Sequence, residues 1–277
     1  MIDNASTAEL AADVDGHRDT GAPGRSVTSK VLAVLYAFSH DRYQLSLNEI
    51  AAQTKLPLST SYRLATELVT GKALERAPGG GYQVGRRLWE VGSLAPSTAT
   101  LQEIALPFMQ DLYEATHENV QLAVLDGREA LYLEKLRGRR SVPVKTRRAG
   151  RLPLHATAVG KVLLAFAPKP FVEDVLGNGL ERYTPHTVVA PGHIRRALAE
   201  VRRTGVAFTR DELSVGVTSV ASPLLDAAGN AVAAMSISVR SAGADPHRLA
   251  PAVRTAALCA SRAMRARPAV ALTARDI

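Results

Sequence analysis

Apolar residues recur at Val27, Val31, Val34, Leu35 and Phe38, the spacing of one helix face, and the pattern halts in the polar stretch Ser-His-Asp-Arg. A second helical segment opens at Ser46, an N-cap with Glu49 three residues on, and turns Leu47, Ile50 and Ala51 inward. A third is expected from Pro57 to about Thr70, with proline at the first helical position and Gly71 as its stop. In that helix Ser61, Leu64, Ala65 and Leu68 share one face. Ser59, Thr60, Arg63, Thr66 and Glu67 occupy the other, with Tyr62 at the border. Two strand-like pieces, residues 74–76 and 82–84, then flank Pro78-Gly79-Gly80-Gly81, a turn-forming cluster.

Three short helices followed by a hairpin predict a winged helix-turn-helix over residues 26–87. The outward face of the third helix is small at its N-terminal end, which lets a backbone approach phosphates and base edges while Arg63 reaches further. An ordinary amphipathic helix with a solvated polar face has the same spacing. The order of elements, not the helix alone, favours a recognition helix.

Further along, a helical piece carrying Leu88, Trp89 and Val91 is interrupted at Ala95-Pro96, and residues 88–101 read as a linker helix. The next helix places Leu101, Ile104, Ala105, Phe108 and Leu112 on one face. From Asn119 the period changes to two, with a turn at Asp126-Gly127 between two strands and further strands expected at 140–147, 205–212, 216–225 and 230–240. Helices are expected near 158–166, 193–203 and 248–265. Strands and helices do not alternate regularly, which predicts an α+β domain with a mainly antiparallel sheet over residues 102–268. Residues 1–25 and 269–277 read as tails, the first of them disordered.

The chain has 277 residues, enough for two domains, and a formal charge of +8 with a sequence pI near 9.9, which favours a polyanionic partner. Much of that excess lies in residues 137–151, inside the second domain, where it reads as a solvated basic face. No apolar run is long enough to span a membrane and no secretory layout opens the chain, so a cytoplasmic location is expected. Cys259 is the single cysteine, which excludes an internal disulfide and a cysteine-built zinc site. No cofactor or metal is expected.

Catalytic patterns are missing in turn. Gly160-Lys161 lacks the glycine and the Ser or Thr of a phosphate loop, since His155 and Val162 stand there. The histidines show no metal-ligand spacing. Asp211 and Glu212 are adjacent and, on a strand, point to opposite faces. No Gly-x-Ser-x-Gly elbow occurs. In contrast, the strand Ala-Ala-Met-Ser-Ile-Ser-Val-Arg puts Ser236 and Ser238 on the face opposite Met235 and Ile237, either as a pocket floor or as hydroxyls bonded to neighbouring backbone.

Three segments, "YQVGRRLWEVG", "LPLHATAVGKVLLA" and "GVAFTRDELSVGVTSVASPLLD", resemble the IclR-type bacterial transcriptional regulators, and the likeness spans roughly residues 26–268. In the last, Gly205, Glu212, Ser219, Val220, Ala221, Leu224 and Asp226 fall at the family spacings. Thr209 replaces the usual Asp or Ser, and Leu225 an aromatic or His. Lys55 stands where the helix-turn-helix turn usually has glycine, which implies an unfavourable backbone angle.

The resemblance implies a DNA-binding regulator, a homo-dimer or dimer of dimers on an inverted-repeat double-stranded operator. Its winged helix would be joined by a linker helix to a GAF-like domain that binds a small effector. Ser59, Thr60, Tyr62 and Arg63 would meet DNA, with Lys55 and Arg76 beside them. Ser219, Ser236, Ser238 and Thr209 would supply polar contacts to the effector, together with the backbone amides of Ala158 and Val159. Leu152, Leu154 and Val217 would wall it. Hydroxyls and amides suit a carboxylate, so a small organic acid, or else an aromatic effector, is the implied ligand. A ligand-sensing or dimerising module with no DNA role is the alternative.

Overall fold

The computed structural model describes residues 26–39, 42–92, 94, 96–138, 142–146 and 148–266, and the expected tails lie outside them. The chain divides into one compact unit ending at Trp89 and another beginning at Glu90.

In the first unit, α1 (Val27–Tyr36), α2 (Leu47–Thr54) and α3 (Leu58–Thr70) enclose a core that includes Val34, Ile50, Leu64 and Ala65. Ser46 and Glu49 close a reciprocal capping box, Ser46 N donating to Glu49 Oε2 at 2.7 Å and Glu49 N to Ser46 Oγ at 3.3 Å. Lys55 makes the turn into α3 at φ 54° and ψ 31°, the left-handed conformation implied by the missing glycine. Pro57 is the N-cap of α3, one place earlier than expected. The helix stops at Gly71, yet Gly71 has φ −75° and the left-handed residue is Lys72, at φ 58°.

The hairpin is β2 (Leu74–Arg76) and β3 (Tyr82–Val84), as the pattern predicts, and a further strand, β1 (Gln44–Leu45), pairs with β3 to give the order β1-β3-β2. Two residues are too short to display an alternation. Gly81 is required at the hairpin turn: it has φ +82°, and a Cβ there would meet the Leu45 carbonyl oxygen at 2.6 Å.

Residues 88–101 are not one helix. They hold the end of α4 (Arg86–Gly92) and the start of α5 (Pro96–Thr116), with Pro96 at the opening of the second helix, a position proline favours.

The second unit is built on a six-stranded sheet in the order β6-β5-β4-β9-β8-β7, every pairing antiparallel. Its strands are β4 (Asn119–Asp126), β5 (Glu129–Leu136), β6 (Arg151–Pro153), β7 (Ala207–Arg210), β8 (Val217–Leu225) and β9 (Ala231–Arg240). Alternation divides them between two cores. Leu122, Val220, Met235 and Ile237 face α5 and α9 (Pro246–Arg265). Ala123, Ala207, Ala221 and Ala234 face α6 (Ala158–Phe166), α7 (Lys169–Gly177) and α8 (Pro191–Thr204). The small residues on this second face leave room for a helix to lie close to the sheet.

The strand expected at 140–147 is not formed in its described residues. Pro143 has no N–H to give to a ladder, and residues 142–146 run as irregular chain. They are tethered by Asn119 Nδ2 donating to the Val142 carbonyl at 2.8 Å and Lys135 Nζ donating to that of Thr146 at 2.7 Å. The edge strand comes later, at β6.

Candidate functional site

On α3, Ser61, Leu64 and Ala65 are buried while Ser59, Arg63, Thr66 and Glu67 are exposed; Thr60 is half-buried and Tyr62 is 53% exposed. The helix therefore turns to the outside the face that the sequence assigns to it. Arg63 Nη1 donates to Glu67 Oε1 at 3.1 Å, an exposed pair one turn apart that is worth only a few tenths of a kcal/mol, roughly, and leaves the guanidinium available. Lys55 is exposed at the turn. Arg76, on β2, lies over the Tyr82 ring at 4.3 Å, so the ring that anchors the hairpin also orients this cation.

In the second unit, the sheet face under α6 carries a polar row. Thr209 pairs in register with Ser219, Ser219 with Ser238, and Gln121 with Ser236. Ser219 Oγ and Ser238 Oγ are 2.8 Å apart, and Gln121 Oε1 accepts from Ser236 Oγ at 2.7 Å and from Ser238 Oγ at 3.3 Å. Of these, Thr209, Ser219, Ser236 and Ser238 floor a cavity of about 40 Å³, and Gln121 holds two of the serines from behind.

The first turn of α6 forms another wall. Thr157 caps the helix by accepting from Gly160 N at 3.1 Å, while Ala158 and Val159, whose N–H groups have no acceptor within the helix, line the cavity. Leu152, Val217 and Thr209 also line it. Leu154 does not line the cavity. It is buried in the core beneath α6, where its backbone comes against Gly160, so it supports the wall from behind.

Several lining residues lie outside the expected set. Burial pushes the Tyr132 hydroxyl well above the ordinary tyrosine range, keeping it protonated beside Thr157. Val144 and Thr146 come from the irregular segment, and Leu213 and Ser214 from the 211–217 loop. That loop is pinned: Asp211 Oδ1 accepts from Gly216 N and from Ser241 Oγ, each at 2.7 Å. Those bonds, the Ser241 hydroxyl first, hold the Asp211 carboxyl below its usual range.

Glu212 also lines the cavity, and Lys161 of α6 donates to it from Nζ to Oε1 at 2.5 Å with both side chains buried. The sequence carried a signal that Lys161 needs a partner, though not which one. A lone lysine in Ala-Val-Gly-Lys-Val-Leu-Leu-Ala-Phe, a helix apolar on every side, needs a buried partner. Among the described residues no cluster of His, Cys, Asp or Glu is arranged to hold a metal ion, and no helix is long and apolar enough to cross a membrane.

Two family models match this chain: the bacterial transcriptional regulator IclR C-terminal domain over residues 95–262, and the IclR helix-turn-helix domain over residues 27–78. The chain belongs to the IclR family of transcriptional regulators. It is 30% identical over 240 residues to the HTH-type transcriptional regulator XynR of Escherichia coli K12, covering 85% of this chain and 95% of that protein. It is 30% identical over 217 residues to the HTH-type transcriptional repressor AllR of the same strain, covering 78% and 80%. A crystal structure of an IclR homolog complexed with 4-hydroxybenzoate, from Microbacterium hydrocarbonoxydans, aligns with TM-score 0.84 and 34% identity over 87% of this chain and all 100% of that one. The IclR relatives are named regulators and repressors, not enzymes. As an IclR protein the chain has a DNA-binding helix-turn-helix and a C-terminal effector domain.

Proposed function

We propose that this regulator recognises an inverted-repeat operator as a dimer or dimer of dimers and is switched by a small organic or aromatic acid held in the cavity under α6. The outward polar face of α3 carries the DNA half of the reading. Ser59, Thr60, Tyr62 and Arg63 would enter the major groove, and Lys55 and Arg76 would meet phosphates. Val91 (53% exposed) and Leu94 (77%), at the start of the second unit, are exposed apolar residues that a second copy would cover, which supports the homo-oligomer. A protein acting on operators works in the cytoplasm.

For the ligand half, the α6 amides and the serine hydroxyls supply hydrogen bonds for a carboxylate, while Leu152 and Val217 provide apolar contact for its carbon skeleton. Among the described residues the buried cation close by, Lys161, is already matched by Glu212, which leaves the amides and hydroxyls, with the exposed Lys145 of the lining, to meet an acid. The homolog's complex with 4-hydroxybenzoate supports an acid as the ligand. Effector binding then shifts the population of DNA heads able to span two half-sites, by as much as its affinity differs between the two states.

Separation of function tests the reading. Ser236→Ala with Ser238→Ala should abolish the response of operator binding to acids and leave operator affinity within about threefold. An unaltered response would remove these serines from the site.

A further inference from the structure

Six buried side-chain N or O atoms among the described residues have no hydrogen-bond partner in the protein; Ser61 Oγ and Glu118 Oε2 lie away from the cavity, and the other four gather at it. Glu212 Oε2, Ser214 Oγ and Thr146 Oγ1 all belong to residues lining the cavity under α6, and Gln121 Nε2 belongs to the amide that holds Ser236. Such atoms cost free energy unless something bonds them, so their concentration at one place points to a ligand richer in polar groups than a bare carboxylate.

Glu212 is the most demanding of them. Its main-chain carbonyl is fixed by Thr187 Oγ1 at 2.6 Å and Thr184 Oγ1 at 3.3 Å, and its Oε1 by Lys161 Nζ at 2.5 Å. The residue is thus held from both ends, with Oε2 left over. A carboxylate oxygen accepts and does not donate, so another carboxylate cannot satisfy it. The ligand's anionic group goes instead to donors in the lining, among them the serine hydroxyls and the first turn of α6 at Ala158 and Val159. Lys161 already offsets the charge of Glu212, which favours a neutral O–H over a second cation.

We propose that Glu212, positioned by Lys161, reads a hydroxyl on the ligand, so that the cavity selects hydroxy acids over the corresponding plain acids. This rests on the effector reading above and names the class of molecule within it.

Calorimetric titration of the full-length chain tests the proposal with matched sets: benzoate, 4-fluorobenzoate, 3-hydroxybenzoate and 4-hydroxybenzoate, then propionate and lactate, and acetate and glycolate. In at least one set the hydroxy acid should bind about tenfold or more tightly than its plain partner, which is ~1.4 kcal/mol. Where the benzoates bind, 4-fluorobenzoate, which cannot donate, should side with benzoate. In Lys161→Met/Glu212→Met, which removes both buried charges together, the preference should collapse to about threefold or less.

Acids that bind without preference for the hydroxyl would overturn this inference alone, as would fluorobenzoate binding like its hydroxy analogue, or a folded double variant that keeps the preference. Absence of binding by every acid would instead overturn the effector reading. Should the double variant fail to fold, the fluorine comparison in the unaltered protein still decides.

Discussion

A methyl group placed on Gly160 would overlap the carbonyl oxygen and Cα of Leu154, and would stand 2.6 Å from Thr157 Oγ1. Helix α6 therefore lies directly on the backbone that leads into it, and this close approach sets where its first turn, with Ala158 and Val159, meets the cavity. Gly160→Ala should force α6 to shift, costing about 1–3 kcal/mol of stability. Urea unfolding should show that loss, and titration with a bound acid should show a larger fractional loss of affinity than Leu152→Val causes. Wild-type stability in the alanine variant would mean that the close approach is dispensable.

Lys55 has the opposite character. At φ 54° it occupies a conformation that costs a side-chain-bearing residue about 1 kcal/mol and glycine almost nothing. Lys55→Gly should raise the unfolding free energy of the first unit by roughly 0.5–1 kcal/mol, read as a higher melting temperature. If Lys55 also meets a phosphate, operator affinity should fall in the same variant.

Asp211 couples loop geometry to pH. Its folded carboxyl is held below the usual range by the Ser241 hydroxyl and the Gly216 amide, so it contributes stability above the unfolded aspartate value that is lost as pH falls through the lower folded value. The 211–217 loop should stay ordered through neutral and mildly acidic conditions and loosen only below about pH 4. Asp211→Ala should weaken protection of the Gly216 amide in hydrogen exchange at neutral pH, where protonation does not reach the wild-type loop.

Arg63 contributes to a different measurement. Arg63→Ala should weaken operator binding by about 1–3 kcal/mol and leave acid affinity unchanged. Equal loss of both would contradict independent roles for the two units.

The parts of this fold that are readable in the sequence are those fixed by local chemistry. Ser46 with Glu49, the glycines at 79–81 and the alternation around Ser236 each determine their own element, and the hairpin strands at 74–76 and 82–84 fall where the pattern places them. The outward polar face of α3 was readable because a single helix period separates Ser61 and Leu64 from Ser59 and Arg63. What escaped depends on tertiary partners. β1 exists only because β3 lies beside it, and α7 is a short segment whose apolar residues Val172, Val175 and Leu176 have meaning only against the core under the sheet. Residues 142–146 look strand-like in composition, but Pro143 and the tethers from Asn119 and Lys135 hold them as irregular chain beside the cavity. Glu212 was visible as part of a family pattern, whereas its pairing with Lys161, across 51 residues of chain, was not.

The central claim is that one protein joins operator binding to an acid-sensing cavity. Fluorescence anisotropy with the DNA upstream of its own gene, across a salt series and with or without a panel of small carboxylic and hydroxy acids, tests it most directly. The account predicts specific binding whose affinity falls steeply with salt and is shifted severalfold or more by at least one acid, the shift vanishing in Ser236→Ala/Ser238→Ala. Salt-insensitive binding, or operator affinity that no acid alters, would contradict it.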